Sequence, residues 1–503
     1  MSLTQDPISR IVIVGGGTSG WMAATMLSSI LKKTNTQIDL VESSEIGTIG
    51  VGEATVPPFL VFLQSVGIDE KDFIQKTSST FKLGIKFDNW LNKGHSYFHP
   101  FGQIGRNIDG HDFFHLWLKN NRTGNSSSLM DHSAAAVMAK QNKFMPTVKL
   151  QGTPLEQSLY ALHIDAGLAA KYLRDVSEKN GVRRVDAKVD KVHLADNGYI
   201  KELELDNGDR MSGELFIDCT GFRGLLIEQA MKTGYEDWSH YLPCDRAVTV
   251  QTSYDDEPPV YTNSIAQDAG WTWHIPLQHR MGNGYVYASR FMSDDQARDT
   301  LMNSISGDCI NEPRCIPFLT GKRKKIWNKN CLALGLASGF LEPLESTAIH
   351  LVFKTLSYFI RYFPDKDFDT ALQNEFEHKI SQEYLKIRDF IILHYALTQR
   401  EDTEFWRWCK TMSLPDSLKE RVDKYCSNGI VVSKEEDFFR APSWYSVYTG
   451  MGVLPKKYNP LVNALDDEAL AKSIASGQAA IKNTVGQLPA HGEFVRKMCP
   501  AIK

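Results

Sequence analysis

Ile11-Val12-Ile13-Val14-Gly15-Gly16-Gly17-Thr18-Ser19-Gly20-Trp21 carries the first reading of the chain. Four β-branched apolar residues in a row predict a buried strand. The glycines behind them fit G-x-G-x-x-G through Gly15, Gly17 and Gly20. The first allows a tight turn, the second a close backbone approach to a pyrophosphate, the third helix-on-strand packing. The pattern predicts a helix from Trp21 to about Leu31, whose free N–H groups and dipole favour an anion. Gly15, Gly17, Thr18, Ser19 and Gly20 are therefore candidate dinucleotide contacts. A second strand, Ile38-Asp39-Leu40-Val41, ends at Glu42, 22 residues after Gly20 and near the distance expected of a ribose-binding acid.

Further segments offer candidates for the same ligand, beside the plain reading of an ordinary connection. Ile49 to Pro58 sets glycines beside a Pro pair, the mark of a shaped loop. Such a loop can lie across a cofactor, which makes Gly50, Val51, Gly52, Glu53 and Ala54 candidates. Leu215 to Gly221 reads as a strand ending in a glycine turn. Asn330 to Gly339 is a third strand–turn, containing Leu336. Asn197-Gly198 between Val185–Leu194 and Tyr199–Leu205 predicts a hairpin.

Residues 81–87 alternate, with Phe81, Leu83, Ile85 and Phe87 on one face of a predicted strand and Lys82, Gly84 and Lys86 on the other. By itself Lys82 reads as a solvated lysine. Aromatic and histidine residues crowd 95–118, including His99 and Phe101. Such clusters line pockets for flat ligands and also fill cores. Trp271 and Trp273 share one face of a strand, for which packing is the default account. Ser346 is a natural N-cap for a helix beginning near Ile349. It would leave the N–H groups of Thr347 and Ala348 free for a small anion.

The chain has 503 residues, 42% of them hydrophobic, enough for a large core. A net charge of −4 gives no reason to expect nucleic acid or an anionic membrane surface. The eight cysteines show no C-x-x-C spacing, so no metal site or disulfide framework is expected. Reduced thiols in a cytoplasmic enzyme are the simplest account. No signal peptide and no membrane span are visible. The pattern is mixed α/β to about residue 350. Helical periodicity then dominates at 366–398, 415–426 and 464–484.

With those motifs in view, the chain resembles the flavin-dependent tryptophan halogenases over nearly its full length. The glycine fingerprint, Trp271-x-Trp273-x-Ile275-Pro276 and the Phe81-Lys82…Lys86-Phe87 stretch carry the resemblance. Leu344-Glu345-Ser346-Thr347, Arg388-Asp389-Phe390, His394-Tyr395 and Phe405-Trp406 agree. The resemblance implies an α/β (α+β) fold. An FAD-binding, Rossmann-like module of the flavin monooxygenase type would span 1–350, with a substrate-side segment at 95–150. A mainly helical subdomain over 351–503 would complete the substrate pocket.

It also implies a two-component reaction. Reduced FAD comes from a separate NAD(P)H-dependent reductase, oxygen forms a flavin hydroperoxide, and chloride or bromide attacks it to give hypohalous acid. That oxidant reaches a lysine beside an electron-rich aromatic substrate. Lys82 stands at the lysine's place and Glu345 at that of its partner carboxylate. An ammonium can polarise hypohalous acid, or an amine can form a haloamine, while the carboxylate takes the ring proton. Thr347 and Ala348 match the halide site, where the family has Gly at the second position. Trp271 and Trp273 would keep organic substrate from the flavin. His99 and Phe101 fit one side of an aromatic sandwich. On the other side stands Asp437-Phe438-Phe439-Arg440-Ala441-Pro442-Ser443-Trp444, in which Trp444 could serve. The clamp for a free amino acid is not recognisable there, which favours indole-like, phenolic or carrier- or peptide-bound aromatics. A homodimer is compatible with the resemblance. The rival expectations are a single-component flavin hydroxylase and an inactive flavin-binding protein.

Overall fold

A computed structural model describes residues 6–45 and 52–502. Arg10–Val14 lies inside a six-stranded sheet, between Gln37–Glu42 and Leu215–Asp218, and pairs parallel to both. Ile11 and Ile13 enter one apolar cluster while Val12 and Val14 enter another. Burial on both faces explains the unbroken β-branched run. Cys331–Ala333 and Arg183–Asp186 extend the parallel order on either side.

The first helix is Thr18–Ile30, three residues earlier than the pattern suggests. Gly17 caps it in extended conformation, and the first helical bond runs from Trp21 N–H to Gly17 O. The glycine turn is correspondingly shorter. The N–H groups of Thr18, Ser19 and Gly20 have no helical acceptor. The helix packs on Ala166–Lys179, where Thr25 and Ser177 share a buried hydroxyl contact of 2.9 Å.

Residues 81–87 are not one strand. Thr80–Lys82 belongs to a three-stranded sheet with Ala161–Asp165 and Gly52–Ala54. Gly84–Asp88 belongs to a seven-stranded sheet, between Thr262–Ala266 and Ser96–Pro100. The chain changes sheets at Leu83, whose N–H donates to Val260 O and whose carbonyl accepts from Phe101 N–H. The four apolar residues are buried as expected, but Lys82 is also fully buried, because both sides of this crossing are covered. The expected hairpin forms with Val189–Leu194 and Ile200–Leu205. Val185 instead sits with Arg183–Asp186 in the six-stranded sheet.

Beyond residue 347 the described chain is mostly helical, from Ala348–Arg361 through Thr370–Ala396 to His491–Met498. Ala348–Arg361 packs on Thr18–Ile30. Ala441–Gly450 lies so close to Ser96–Pro100 that a Cβ on Gly450 would fall 2.5 Å from the Tyr97 ring. These contacts bring three distant segments to one place. Among the described residues no helix is long and apolar enough to cross a membrane.

Candidate active site

The glycine turn opens on a cavity of about 850 Å³, a size that suits a dinucleotide. Gly15, Gly17, Thr18, Ser19, Glu42, Gly52, Glu53, Ala54, Gly221 and Leu336 all line it. Gly20 does not; a Cβ there would meet Gly15 O at 1.9 Å, so it serves the helix–strand contact. Gly50 and Val51 lie outside the described residues. Gly16, absent from the sequence expectations, is required too, since its Cβ would fall 1.4 Å from Glu42 Oε2. Arg184 holds the other Glu42 oxygen at 2.5 Å. Burial, with Asp165 nearby, pushes the Glu53 carboxyl up to about 7. A helix start with free N–H groups, a glycine cradle and an acid at the end of the second strand suit the pyrophosphate and ribose of FAD.

The tryptophan motif forms another part of the wall. Gly270–Pro276 pairs with Met281–Tyr287 so that Trp273 faces Gly284. A Cβ at Gly284 would sit 2.1 Å from the Trp273 ring, so glycine is needed for the indole to lie flat there. Trp271 and Trp273 both line the cavity, with ring centroids 5.9 Å apart.

Lys82 lies just behind the cavity. Its Nζ donates to Ser346 Oγ at 2.8 Å and to Thr55 O at 3.2 Å, and sits 5.2 Å from the Phe101 ring centre. Ser346 Oγ thus links the amine to a residue that lines the cavity. Burial lowers the amine to about 7, partly countered by the charge on Glu345. The reading of Lys82 as solvated is corrected by this complete burial.

Glu345 is buried in the same region. His99 Nδ1 contacts its two oxygens at 2.9 and 3.1 Å. His394 Nε2 approaches Oε1 to 2.9 Å from off the N–H axis, a close electrostatic contact rather than an aligned hydrogen bond. Burial raises the carboxyl, but His99 and His394 more than offset it and leave it at about 2. Glu345 is therefore a carboxylate at neutral pH. Tyr97 Oη lies 2.6 Å from His394 Nδ1 and fixes that ring from behind. Lys82 and Glu345 are coupled through charge, and among the described residues no ion pair joins them directly.

Ser346 does not cap the following helix, contrary to the sequence expectation. Pro343–Glu345 forms one 3-10 turn, Ser346 takes a left-handed φ of 58°, and Thr347 is the cap of Ala348–Arg361. The left-handed residue turns its hydroxyl toward Lys82 instead of the helix N–H groups. Thr347 Oγ1 is buried without a partner among the described residues, beside the free N–H groups of the helix start. Ala348 lines the cavity and Thr347 does not. A small anion suits this corner.

Phe101 lies beside Lys82, whereas the His99 ring is engaged by Glu345. Phe101 packs with Val56, Ala161 and Phe438. Trp444 lies under Phe390 and beneath the Arg421 guanidinium, 4.3 Å from its ring centre, and donates to Phe439 O at 3.2 Å. Phe438 and Phe439 come between Trp444 and the Phe101–His99 wall, Phe439 stacked on Phe390 at 3.8 Å. The sequence signal for them was their place six and five residues before Trp444. Tyr97, His394 and Glu342 also belong to this neighbourhood, and of these only His394, next to Tyr395, carries a signal in the sequence.

The fold thus sets a buried amine and a buried carboxylate beside a cavity of dinucleotide size. Residues 10–467 match the tryptophan halogenase family model, and the chain belongs to that family of flavin-dependent halogenases. It is 34% identical to tryptophan 6-halogenase ThaL of Streptomyces albogriseolus, with 91% of each chain covered. The solved flavin-dependent halogenase BrvH of Brevundimonas sp. BAL3 superposes with a TM-score of 0.94 at 41% identity, covering 98% of this chain and 99% of its own. Xcc4156, a flavin-dependent halogenase of Xanthomonas campestris, gives 0.95 at 41% identity, covering 99% of both.

Proposed function

We propose that the protein uses reduced FAD, O₂ and chloride or bromide to halogenate an electron-rich aromatic ring, with Lys82 presenting the oxidised halogen and Glu345 receiving the ring proton. Bound reduced flavin, with O₂ and halide, supplies hypohalous acid. The FAD cradle consists of the glycine turn, Glu42 and Gly52–Ala54. Thr347 and Ala348 hold the halide. A separate NAD(P)H-dependent reductase supplies the reduced flavin, and the chain acts in the cytoplasm.

The observation that carries this reading is Lys82, buried, lowered to about 7 and tied to the cavity wall by Ser346. An amine near 7 is part neutral in a neutral cell. Its lone pair takes the halogen of hypohalous acid, water leaves, and the resulting N–X bond holds the halogen in place. A ring carbon then attacks the halogen. The N–X electron pair returns to nitrogen, the ring proton passes to Glu345, which is ionised and held in place by His99, and that proton goes on to the nitrogen, restoring the neutral amine and the carboxylate. Confining the oxidant at one amine replaces an unselective reagent with a positioned one.

The substrate we favour is indole or another aromatic lacking a free amino-acid group. Phe101, with Phe438 packed against it and Phe439 beside Phe438, offers an aromatic wall near Lys82. The acid of this stretch, Asp437, is occupied by Lys386 at 2.6 Å, so it is not free to grip an ammonium.

The test is an aromatic panel with FAD, a generic reductase and halide, read by mass spectrometry for the halogen isotope pattern. Lys82→Ala is expected to abolish product while hypohalous acid formation continues. Glu345→Gln slows product formation by about a hundredfold or more. Full product formation by Lys82→Ala would remove the proposal. Rapid flavin bleaching by NADPH alone would favour the single-component hydroxylase.

A further inference from the structure

A second carboxyl group, three residues before Glu345, has no part in the chemistry above. Glu342 is completely buried. Its Oε2 accepts the indole N–H of Trp271 at 3.0 Å and the hydroxyl of Tyr395 at 2.5 Å. Among the described residues it has no ion-pair partner, and Oε1 has no hydrogen bond. Burial pushes this carboxyl up to about 7, against the pull of its two donors.

The placement links three elements. Glu342 enters the turn that carries Glu345 and Ser346. Trp271 lines the cavity from the seven-stranded sheet. Tyr395 follows His394 on Thr370–Ala396, so consecutive residues of one helix touch the two carboxyls of one turn. Trp271 spends its N–H on a residue that does not line the cavity. Its hydrocarbon surface is what remains for the cavity, and the Trp271 N–H does not compete there for halide or oxygen.

We propose that Glu342 is a positioning residue for halogenation: by accepting Trp271 and Tyr395 on one oxygen, it holds the indole against the cavity and sets the turn that carries Glu345 and Ser346. The consequence for Glu345 and Lys82 rests on the function proposed above. The hold on Trp271 does not.

The experiment compares Glu342→Ala, Glu342→Gln and Tyr395→Phe in the full chain with FAD, a reductase, bromide and indole. It measures kcat for halogenated indole, KM for bromide, hypohalous acid caught by a diffusible trap, and near-UV circular dichroism. Glu342→Ala is expected to lower kcat at least tenfold, leave KM for bromide within twofold, and divert oxidant from indole to the trap. Its tryptophan dichroism changes as Trp271 loses its anchor. Glu342→Gln restores at least half the product yield, because an amide oxygen accepts both donors. Unchanged partition in a folded Glu342→Ala overturns the proposal, as does a folded Glu342→Gln no better than Ala. Should Glu342→Ala fold poorly, Tyr395→Phe removes one donor and keeps the packing; a wild-type partition there overturns the proposal equally. Lys82→Ala run in parallel separates the readings. If it still halogenates, the function of Lys82 fails, while the dichroism of Glu342→Ala still reports on Trp271.

Discussion

Lys82 and Ser346 are 264 positions apart in sequence, yet Lys82 Nζ donates to Ser346 Oγ at 2.8 Å inside the protein. The serine adopts φ 58°, a region uncommon outside glycine and asparagine, and no cap bond to the next helix compensates. A strained residue whose hydroxyl grips a buried amine points to a positioning role. Ser346→Ala is expected to leave hypohalous acid formation intact and to lower aromatic halogenation about tenfold, the equivalent of one hydrogen bond to a charged group at about 1.5 kcal/mol. Single-turnover product yield against trapped oxidant checks this. A wild-type ratio would mean that Thr55 O alone is enough to orient the amine.

The lysine is also a stability cost. Its value is about 7 in the folded protein against 10.5 in the unfolded chain. Between those values the unfolded chain binds a proton that the folded one does not, so stability falls as pH drops from 10.5 to 7 and levels off below. The full cost approaches ~5 kcal/mol, at 1.36 kcal/mol per unit. Two lost hydrogen bonds return roughly 2 kcal/mol of that on substitution. Lys82→Met should therefore be more stable at pH 7 by about 2–3 kcal/mol. Unfolding midpoints at pH 7 and pH 9 check it, with a smaller gain expected at pH 9. A Met variant destabilised equally at both would show that the ammonium is not disfavoured by burial.

What the sequence disclosed, and what it hid, follows from the range of each interaction. Ile11 to Val14 and the glycines after them are local signals, and the sheet and cavity built on them match. The alternation of Phe81, Leu83, Ile85 and Phe87 was visible as well. It could not show that Leu83 turns the chain from one sheet to another, which depends on Val260 and Phe101. Nor could it show that Lys82 is covered on its polar side. Ser346 looked like a cap because serine before an apolar helix usually is one. Its partner lies in a different sheet, and the tertiary bond overrode the local preference. His99 offered an aromatic-cluster reading, while its contact with Glu345 spans 246 positions and leaves no periodic trace. Phe438 and Phe439 were overshadowed by the larger Trp444 close by, whose ring is turned into the core.

His491 extends the support of Lys82 to the last helix. Its Nε2 accepts the backbone N–H of Phe81 at 3.2 Å, and Nδ1 donates to Pro258 O at 2.8 Å. Those two bonds require the neutral ring, because a proton on Nε2 would point at the Phe81 N–H. Burial lowers His491 to about 4 from 6.5, with only partial relief from Pro258 and Glu257. The unfolded chain therefore takes up a proton as pH falls below 6.5 that the folded chain refuses until about 4. Stability is lost across that window, by roughly 3 kcal/mol in all at 1.36 kcal/mol per unit. His491→Gln keeps an acceptor for Phe81 and a donor for Pro258 but cannot titrate. Urea unfolding at pH 7, 6 and 5 should show a shallower loss of stability in the variant, by about one proton in the slope at pH 5. An unchanged slope would mean that His491 is protonated in the folded protein, and that the Phe81 backbone beside Lys82 is held by something other than this ring.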